Sequence, residues 1–409
     1  MPRIALIRQG HYPRDPRVSR EVTALADAGY DVDLICAMWP GQPRIERLGR
    51  VSIYRLPITR RRGSPPRYLF EFCAFHLAAT LLAGALHLRR RYDLIQVNTI
   101  PDSLVFAAIL PRLFGARVLL DLHECMPEFF STKYGVSVRH PLVRLLGMVE
   151  QTSIRFADAV ITCTEPMRRR FVERGAAPDK VTVILNSSNE ETFDPELFPP
   201  SARSAERFVL MFHGTLEERF GPDLAIKAVA LLKDEIPGLH LRIFGDGTFR
   251  PTLESLAVTL GVERHVSFSQ GYVPLSELVA AIASADAGVV PTKRDAFRDL
   301  THANKMFDLI AMRTPAIVSR TQAVEAYFDD SSLQLFTSED EHDLARAIRE
   351  LHADPALRER LVQRATDVQR PYRWVHQRRR YLDLVEALAS GPDAHARRQA
   401  LATEAVEDA

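Results

Sequence analysis

The sequence lacks the features that mark several large protein classes. Its 409 residues include only four cysteines, Cys36, Cys73, Cys125 and Cys163, and they lack the paired spacing of a zinc site or a redox motif. Cysteines this sparse suit a reducing compartment and predict no disulfide framework. Lysine and arginine number 53 against 52 acidic residues, which gives a formal net charge of +1. This balance argues against nucleic acid as a partner, because nucleic-acid-binding proteins present a basic surface.

Two further absences concern targeting and cofactors. The apolar stretch Ile4–Ile7 is too short for the core of a secretory signal, so we expect a cytoplasmic protein. The loop that follows it contains one glycine, Gly10, and lacks the glycine-rich dinucleotide fingerprint of many oxidoreductases. Paired acidic residues for a metal are also missing from the predicted loops, because Asp31 and Asp33 fall within a predicted strand. We therefore expect no metal and no cofactor.

The chain is long enough for two domains, because a single hydrophobic core stops growing beyond about 250 residues. Apolar runs alternate with helical patterns, which is typical of parallel sheets covered by helices on both faces. The predicted strands are Arg3–Arg8, Asp31–Cys36, Asp93–Val97, Arg117–Leu122, Ala159–Cys163, Val181–Leu185, Phe208–Phe212, Leu239–Phe244, His265–Phe268, Ala287–Val290, Ala316–Ser319 and Leu333–Phe336.

This pattern predicts an α/β protein with two Rossmann-like, doubly wound parallel-sheet domains facing a cleft. Ligands bind beyond the carboxyl ends of the strands in such sheets, so the cleft would suit two substrates. The predicted parts are a first domain at 1–190, joined by a C-terminal helix at 372–388, a proline-containing linker at 191–206, a second domain at 207–371, and a disordered tail at 391–409.

One apolar segment, Tyr68–Leu88, is long enough to span a membrane. Basic residues flank it at Arg60–Arg62, Arg67 and Arg89–Arg91, which favours attraction to anionic lipid headgroups. Three interpretations stay open: a buried helix, peripheral contact with an anionic membrane, and a true span. The second would place the protein on the inner face of the plasma membrane.

Polar residues that could carry chemistry follow several predicted strands. In the first domain, Arg14 and Arg17 lie in the loop after the first strand and could bind an anion. His123 and Glu128 follow the strand Arg117–Leu122, where the imidazole could hydrogen-bond a sugar hydroxyl or the residues could be purely structural. In the second domain, Arg219 precedes a predicted helix and could pair with a diphosphate.

The segment Pro291–Pro315 combines a basic loop with the start of a helix. Lys305 and Asp308 are three residues apart, so they share a helix face. Lys305 could reach a phosphate and Asp308 could accept hydrogen bonds from a ribose. The structural alternative is an ion pair between them within the helix. Likewise, the turn at Gly245 could be a plain turn or part of a phosphate site.

Taken in order along the chain, six segments resemble glycosyltransferase family 4, the retaining transferases of the GT-B fold. They read DPRVSREVTALADAGYDVDLIC, DLHECMPE, FHGTLEERFG, LRIFGDG, VSFSQGYVPLSELVAAIASADAGVVP and NKMFDLIAMRTPAIVS. The resemblance covers nearly the whole chain and implies a metal-independent transfer by same-face attack, with no protein nucleophile.

The resemblance also implies roles for individual residues. Arg219 and Lys305 would bind the donor diphosphate, Asp308 the ribose, and His123 would lie beside the transferred sugar. The remaining donor-side residues would be Gly214, Asn304, Gly245 and Tyr272, and the acceptor-side residues Gly10, Arg14, Arg17 and Glu128.

The chain departs from the family pattern at three positions. Leu300 stands where many members have the first of two glutamates, and Asp308 replaces the second. Thr215 stands where many relatives carry arginine, which leaves Arg219 as the main cation of its loop.

The expected activity is sugar transfer from a nucleotide-sugar donor, UDP-linked in preference to GDP-linked, to a saccharide or lipid-linked acceptor. Two alternatives remain, a nucleotide-sugar epimerase of the same fold and a catalytically inactive two-domain binding protein.

Overall fold

The computed structural model describes residues 2–58, 65–199 and 207–407. The chain divides into two compact units, Met1–Leu185 with Gln377–Ala409, and Asn186–His376. Each unit contains one mostly or entirely parallel sheet. The predicted fold class of two doubly wound α/β domains is therefore confirmed.

The first unit contains an eight-stranded sheet in the order β3-β4-β2-β1-β5-β6-β7-β8. All neighbouring strands are parallel except β3 and β4, which form an antiparallel hairpin at one edge. The strands are β1 (Arg3–His11), β2 (Asp31–Ala37), β3 (Ile45–Leu48), β4 (Val51–Leu56), β5 (Leu94–Asn98), β6 (Arg117–Leu122), β7 (Ala159–Thr162) and β8 (Val181–Val183).

Helices connect these strands and pack on the sheet. They are α1 (Pro16–Asp27), α2 (Pro65–Arg90), α3 (Ile109–Leu113), α4 (Met126–Tyr134), α5 (Pro141–Phe156) and α6 (Glu165–Glu173). The sequence accounts for the position of α1. Asp15 caps this helix and Pro16 begins it, and its buried residues Val18, Val22 and Leu25 follow helical spacing.

The second unit contains a six-stranded parallel sheet in the order β11-β10-β9-β12-β13-β14. Counted from its own first strand, this is the 3-2-1-4-5-6 order of dinucleotide-binding domains. The strands are β9 (Phe208–His213), β10 (Leu239–Phe244), β11 (Val266–Phe268), β12 (Ala287–Val290), β13 (Ala316–Ser319) and β14 (Gln334–Phe336).

The helices that follow complete the two units. They are α7 (Pro222–Leu232), α8 (Arg250–Thr259), α9 (Leu275–Ala283), α10 (Asn304–Ala311), α11 (Gln322–Glu325), α12 (Glu341–Ala353), α13 (Pro355–Gln369) and α14 (Trp374–Glu407). Helix α14 continues into the first unit, where Tyr381 and Val385 are fully buried.

The structure differs from the sequence prediction in three places. The β3–β4 hairpin was not predicted. The predicted disordered tail from residue 391 is helical as far as Glu407. The predicted linker at 191–206 starts inside the second unit, and its residues 200–206 lie outside the described part of the chain, as do Arg60, Arg61 and Arg62.

Helix α2 contains the long apolar segment. Within the described residues it is the one helix long and apolar enough to cross a membrane, and 39% of its apolar stretch is buried. Phe75, Ala79 and Ala83 recur every four residues and are fully buried. The buried-helix interpretation predicts a helix with one face in the core of its domain, and this face of α2 agrees with it.

Candidate functional site

The strand order of the second unit reverses between β9 and β12. Ligands of doubly wound sheets bind beyond the carboxyl ends of the strands at such a reversal. Strand β9 ends at His213 and continues into Gly214, while β12 ends at Val290 and leads through a basic loop to α10. The residues predicted to bind the donor therefore follow the two strands that flank the reversal.

Lys305 lies in the first turn of α10 and packs directly against Gly214. A Cβ atom on Gly214 would stand 2.5 Å from Cε of Lys305, and the φ of +111° at Gly214 is one that L side chains rarely adopt. The ammonium nitrogen lies 4.0 Å from the ring centre of Phe212 and 4.5 Å from that of Phe220. The absence of a side chain at Gly214 thus makes room for Lys305.

The Lys305 ammonium is buried and has no hydrogen-bond partner among the residues that the structure describes. Burial, and then repulsion by Arg298, lowers the pKa of Lys305 to about 7. A buried cation is unfavourable unless an anion pairs with it. The position is therefore suited to a negatively charged ligand.

Three cations surround one aromatic ring at this edge of the sheet. The guanidinium groups of Arg219 and Arg298 lie 5.1 and 5.0 Å from the ring centre of Phe220, which Lys305 also contacts. Arg219 also pairs with Glu217 at 2.6 Å. The structure brings the predicted Arg219 and Lys305 together and adds Arg298, which the sequence analysis did not select.

Asp308 lies one turn beyond Lys305 and is held by residues distant in sequence. The hydroxyl of Ser188 donates to its Oδ1 at 2.8 Å, and its Oδ2 lies 3.3 Å from Nε2 of His213. In the described part of the chain no ion pair joins Asp308 to Lys305. The structural alternative for this pair is therefore not what the structure shows.

The remaining donor-side residues lie around the same loops. A Cβ atom on Gly245 would overlap the carbonyl oxygen of Gly214, and the Gly214 N–H donates to the carbonyl of Phe244 at 2.8 Å. The exposed Tyr272 donates its hydroxyl to the carbonyl of Asp246 at 3.3 Å. Asn304 is exposed at the first position of α10, beside Lys305.

In the first unit, His123 follows β6 and is buried. Its backbone N–H donates to the hydroxyl of Thr99 at 3.2 Å, and its ring Nε2 is in short contact with Oδ2 of Asp121. The other ring nitrogen, Nδ1, is buried and has no partner among the described residues. Burial, and then the charges of Arg17 and Arg8, hold the pKa of His123 well below its usual range.

Asp121 is also held by Asn98, whose side-chain amide donates to Oδ2 at 2.6 Å. Burial raises the pKa of Asp121 to about 7, against the opposing effects of Arg17, Asn98 and Arg8. Asn98 is not among the residues predicted from the sequence, although a polar residue at the carboxyl end of a buried strand is a detectable signal.

Side chains in and beside the loop after β1 form ion pairs and hydrogen bonds with one another. The carboxylate of Asp15 accepts from the N–H of Arg17 at the start of α1 and pairs with Arg8 at 3.0 Å. Arg17 donates to the sulfur of Cys163 at 3.4 Å. Asp15 thus already supplies a negative charge at this helix N-terminus.

Two other predicted acceptor-side residues lie at this end of β1 or just beyond it. The exposed Arg14 stacks on Trp39, with its guanidinium carbon 3.8 Å from the ring centre. Gly10 lies within β1, and a Cβ atom there would stand 3.2 Å from Nε of Arg8. Both residues therefore lie close to the carboxyl end of β1.

Glu128 lies in a buried cluster of ion pairs. Its Oε1 is in short contact with Arg174 and lies 3.3 Å from Nε of Arg170. Arg174 also pairs with the fully buried Glu150 at 2.7 Å. The described contacts of Glu128 are therefore structural, and they do not bring it to His123. Among the described residues there is also no group of three or more His, Cys, Asp or Glu side chains that could hold a metal ion.

Comparison with known families gives an independent view of these residues. Residues 15–187 match the family described as "Glycosyl transferase 4-like domain", and residues 193–368 match "Glycosyl transferases group 1". The chain belongs to glycosyltransferase family 4. The two matches together span most of the transferase.

Two named relatives align with most of this family 4 transferase. It is 29% identical to a D-inositol 3-phosphate glycosyltransferase of Corynebacterium glutamicum, over 86% of each chain. It is also 29% identical to a glycogen synthase of Mycobacterium tuberculosis, over 84% of this chain and 83% of that one. The protein is therefore a glycosyltransferase enzyme.

Solved structures show the same fold. A sucrose-phosphate synthase from Thermosynechococcus elongatus superimposes with a TM-score of 0.73 at 23% identity, over 95% of this transferase and 100% of that chain. The Anabaena protein HepE in complex with UDP-glucose gives a TM-score of 0.69 at 15% identity, over 94% and 99% of the two chains. The fold of the family 4 transferase is thus GT-B.

Proposed function

We propose that this transferase moves a sugar from a nucleotide-sugar donor to a saccharide or lipid-linked acceptor, with retention of anomeric configuration and without a metal. The buried, unpartnered ammonium of Lys305 beside Gly214 carries the proposal. A nucleotide diphosphate is an anion that would complete this site. A UDP-linked donor is preferred to a GDP-linked one, and the UDP-glucose bound by HepE supports that order.

The cations around Phe220 account for the chemical step. As the glycosidic bond to the diphosphate breaks, negative charge develops on the departing phosphate oxygens. Lys305, Arg298 and Arg219 lie around one ring, so positive charge is in place before the reaction and needs little reorganisation. Three side-chain cations can take the part that a divalent metal plays in other phosphate sites.

Asp308 is the proposed ribose ligand. Its carboxylate is fixed by Ser188 and His213, and a carboxylate can accept hydrogen bonds from both hydroxyls of a ribose. It is one methylene shorter than the glutamate usual in the family. Its fixed position on α10, one turn from Lys305, supports the role nonetheless.

A thermal-shift panel of UDP, GDP, ADP and TDP, with their common sugar conjugates, tests the donor. A ligand that binds only the folded state at about 100 times its Kd raises stability by about 2.7 kcal/mol. We expect UDP or UDP-sugars to give the largest rise in Tm, and EDTA to leave both this rise and sugar transfer unchanged. NMR of the product of a transfer reaction then reports the anomeric configuration.

Each alternative has its own outcome in these experiments. An isomerised nucleotide-sugar released without acceptor would favour the epimerase. A panel in which no nucleotide changes the Tm would favour the inactive binding protein. Loss of transfer with EDTA, or an inverted product, would contradict the proposed mechanism.

Peripheral contact with an anionic membrane is the second part of the proposal. The outer face of α2 is apolar: Phe70, Leu77, Leu81 and Leu88 are 59 to 72% exposed. Helix α3 packs on α2 and adds the exposed Ile109, Leu113 and Phe114. Monomeric proteins rarely leave so many large apolar side chains together in water. We name these seven residues the α2–α3 surface.

Charges beside the α2–α3 surface favour anionic lipid as its partner. Arg89 and Arg91 are exposed at the carboxyl end of α2, and each basic residue near an anionic membrane contributes about 1 kcal/mol of binding. A lipid-linked acceptor would be found at the same membrane. The apolar face and the basic end of one helix thus support the same location.

Co-sedimentation with phosphatidylglycerol vesicles tests the α2–α3 surface. We expect the wild-type protein to pellet at low salt, and the double variant Leu77→Asn/Leu81→Asn to bind at least about tenfold more weakly, because each buried leucine contributes about 1.5–3 kcal/mol. Val258→Asn, at an exposed apolar position on α8 of the second unit, is the matched control. Equal sedimentation of all three proteins would exclude this surface as the membrane contact.

A further inference from the structure

The candidate catalytic histidine, His123, forms a pair with a buried acid whose role has not been assigned. Asp121 precedes it by two residues at the end of β6, and Oδ2 of Asp121 is in hydrogen-bonding contact with Nε2 of His123, so one hydrogen must lie between these two atoms. Two lone pairs facing each other at this distance would repel. Asp121 therefore decides which nitrogen of the ring carries hydrogen.

We infer that Asp121 is a positioning residue that holds His123 as the Nε2–H tautomer and leaves Nδ1 to accept a hydrogen bond from a substrate hydroxyl. The inference rests on the proposed sugar transfer. Nδ1 is buried and lacks a partner among the described residues, and a ring nitrogen without hydrogen can be satisfied only by a donor. Sugar hydroxyls are such donors.

Three neighbours stabilise the ionised form of Asp121 that this tautomer needs, against the effect of burial. Asn98 donates its amide to the same oxygen, and the positive charges of Arg17 and Arg8 oppose the protonated form. The amide of Asn98 is fixed in turn, because it also donates to Oε2 of the buried Glu21 at 2.8 Å. The orientation of His123 is thus set by a network and not by the imidazole alone.

The network extends beyond the strands. The amide of Gln96 donates to Glu21 at 2.8 Å, and the hydroxyl of Tyr381 donates to Gln96 at 2.6 Å. Titratable and charged groups face the pair from four elements. They are Arg8 on β1, Asp15 at the N-cap of α1, Arg17, Arg20 and Glu21 on α1, Cys163 directly after β7, and Tyr381 on α14.

The pair gives a defined dependence on pH. With one proton on the pair, the hydrogen lies between Nε2 and Asp121, and Nδ1 is an acceptor. With two protons, either Asp121 or the imidazole takes the second, and in both cases Nδ1 carries hydrogen. Burial raises the pKa of Asp121 to about 7, so the acceptor form is present above this pH and is lost as the pH falls through it.

The experiment is nitrogen NMR of histidine-labelled protein together with pH profiles of kcat/KM. The His123 signals are assigned by their loss in His123→Gln. We expect the Nε2–H signature at pH 8 and protonation of Nδ1 on acidification. We also expect Asp121→Asn to remove the acidic limb of the pH profile near pH 7. At pH 8 the variant should have a kcat/KM about tenfold lower or more, and a tenfold change corresponds to about 1.4 kcal/mol.

A matched control separates positioning from folding. Asp33 is a buried acid on β2 that accepts from the hydroxyl of Tyr92 at 2.5 Å and pairs with Arg90, so Asp33→Asn should lower the Tm and leave the pH profile intact. An Nδ1–H signature in the wild type at pH 8, or an unchanged profile in Asp121→Asn, would overturn the inference. The NMR arm uses no substrate, so its outcome stands apart from that of the proposed transfer.

Discussion

Replacing Lys305 by methionine is expected to weaken nucleotide binding strongly while raising the thermal stability of the empty protein. The ammonium lies buried between the rings of Phe212 and Phe220 without a hydrogen-bond partner among the described residues. A methionine side chain fills much of the same space without a charge. We expect kcat/KM to fall by about 10²–10³-fold, as when one preorganised donor to a transition-state oxygen is lost, and stability to rise by about 1 kcal/mol.

The pH dependence of nucleotide affinity gives a sharper test of the same residue. Burial lowers the pKa of Lys305 to about 7, so in the empty protein the amine is mostly neutral at pH 8. A bound diphosphate favours the charged form and raises this pKa, so binding takes up a proton above pH 7. Affinity should then fall by up to about tenfold for each unit of rising pH.

Isothermal titration in buffers with different ionisation enthalpies measures this proton uptake directly. Lys305→Met should show no proton uptake and much weaker binding, whereas Lys227→Met, in the middle of α7, should behave as the wild type. If Lys305→Met binds nucleotide as the wild type does, the donor site has been assigned to the wrong residues.

Replacing Arg174 by methionine is the second large effect, and it concerns stability. Arg174 pairs with Glu150 at 2.7 Å and is in short contact with Glu128, and both carboxylates are almost fully buried. Breaking a buried ion pair by removing one partner costs about 3–5 kcal/mol, because a buried charge is left uncompensated. We expect a loss of this size in the free energy of unfolding of the first unit.

Protonation of Glu150 sets the sign of the pH effect. Burial raises the pKa of Glu150 even in the presence of Arg174, and without the arginine this shift can only increase. An acid whose pKa is raised in the folded state loses stability as the pH rises. The defect of Arg174→Met should therefore be smaller at pH 5 than at pH 8.

The two tryptophans allow this measurement to follow a single unit. Trp39 lies in the first unit and Trp374 in the second. In a Trp374→Phe background, urea unfolding followed by tryptophan fluorescence therefore reports the first unit alone. Arg169→Met, an exposed neighbour on α6 with a 3.6 Å pair to Glu165, is the control and should lie within about 0.5 kcal/mol of the wild type. A similar loss of unfolding free energy in both variants would show that the buried ion pairs of Arg174 contribute no more to stability than an exposed ion pair does.

Most of the twelve strands that the sequence predicts contain runs of buried apolar residues. In a parallel sheet covered on both faces such runs are continuous, and they can be detected without knowing any partner. The β3–β4 hairpin lies at the edge of its sheet and includes the exposed Ile45 and Leu48 and the charged Glu46 and Arg47. Strand β3 therefore resembles a loop in sequence. Strand β4 contains the buried β-branched residues Val51 and Ile53 and could have been predicted.

The proximity of the proposed donor-side residues could be predicted, because strand ends and helix starts bring them together. Gly214 contacts both Lys305 and Gly245 in the structure. Arg298 was missed because its loop contains several basic residues and nothing in the sequence distinguishes it. Glu128 shows the converse, since its partner Arg174 is 46 residues away and an ion pair at that separation leaves no local pattern.

The order in which the chain is synthesised conflicts with the order in which its first unit can be completed. Leu185 and Gln377 adjoin, with the backbone N–H of Leu185 donating to the side chain of Gln377 at 2.9 Å, and everything between them belongs to the other unit. Tyr381 and Val385 fill the core of the first unit, yet the ribosome adds them only after the whole second unit. The part of the protein that is translated first must therefore wait, with a gap in its core, until the part translated later has been made.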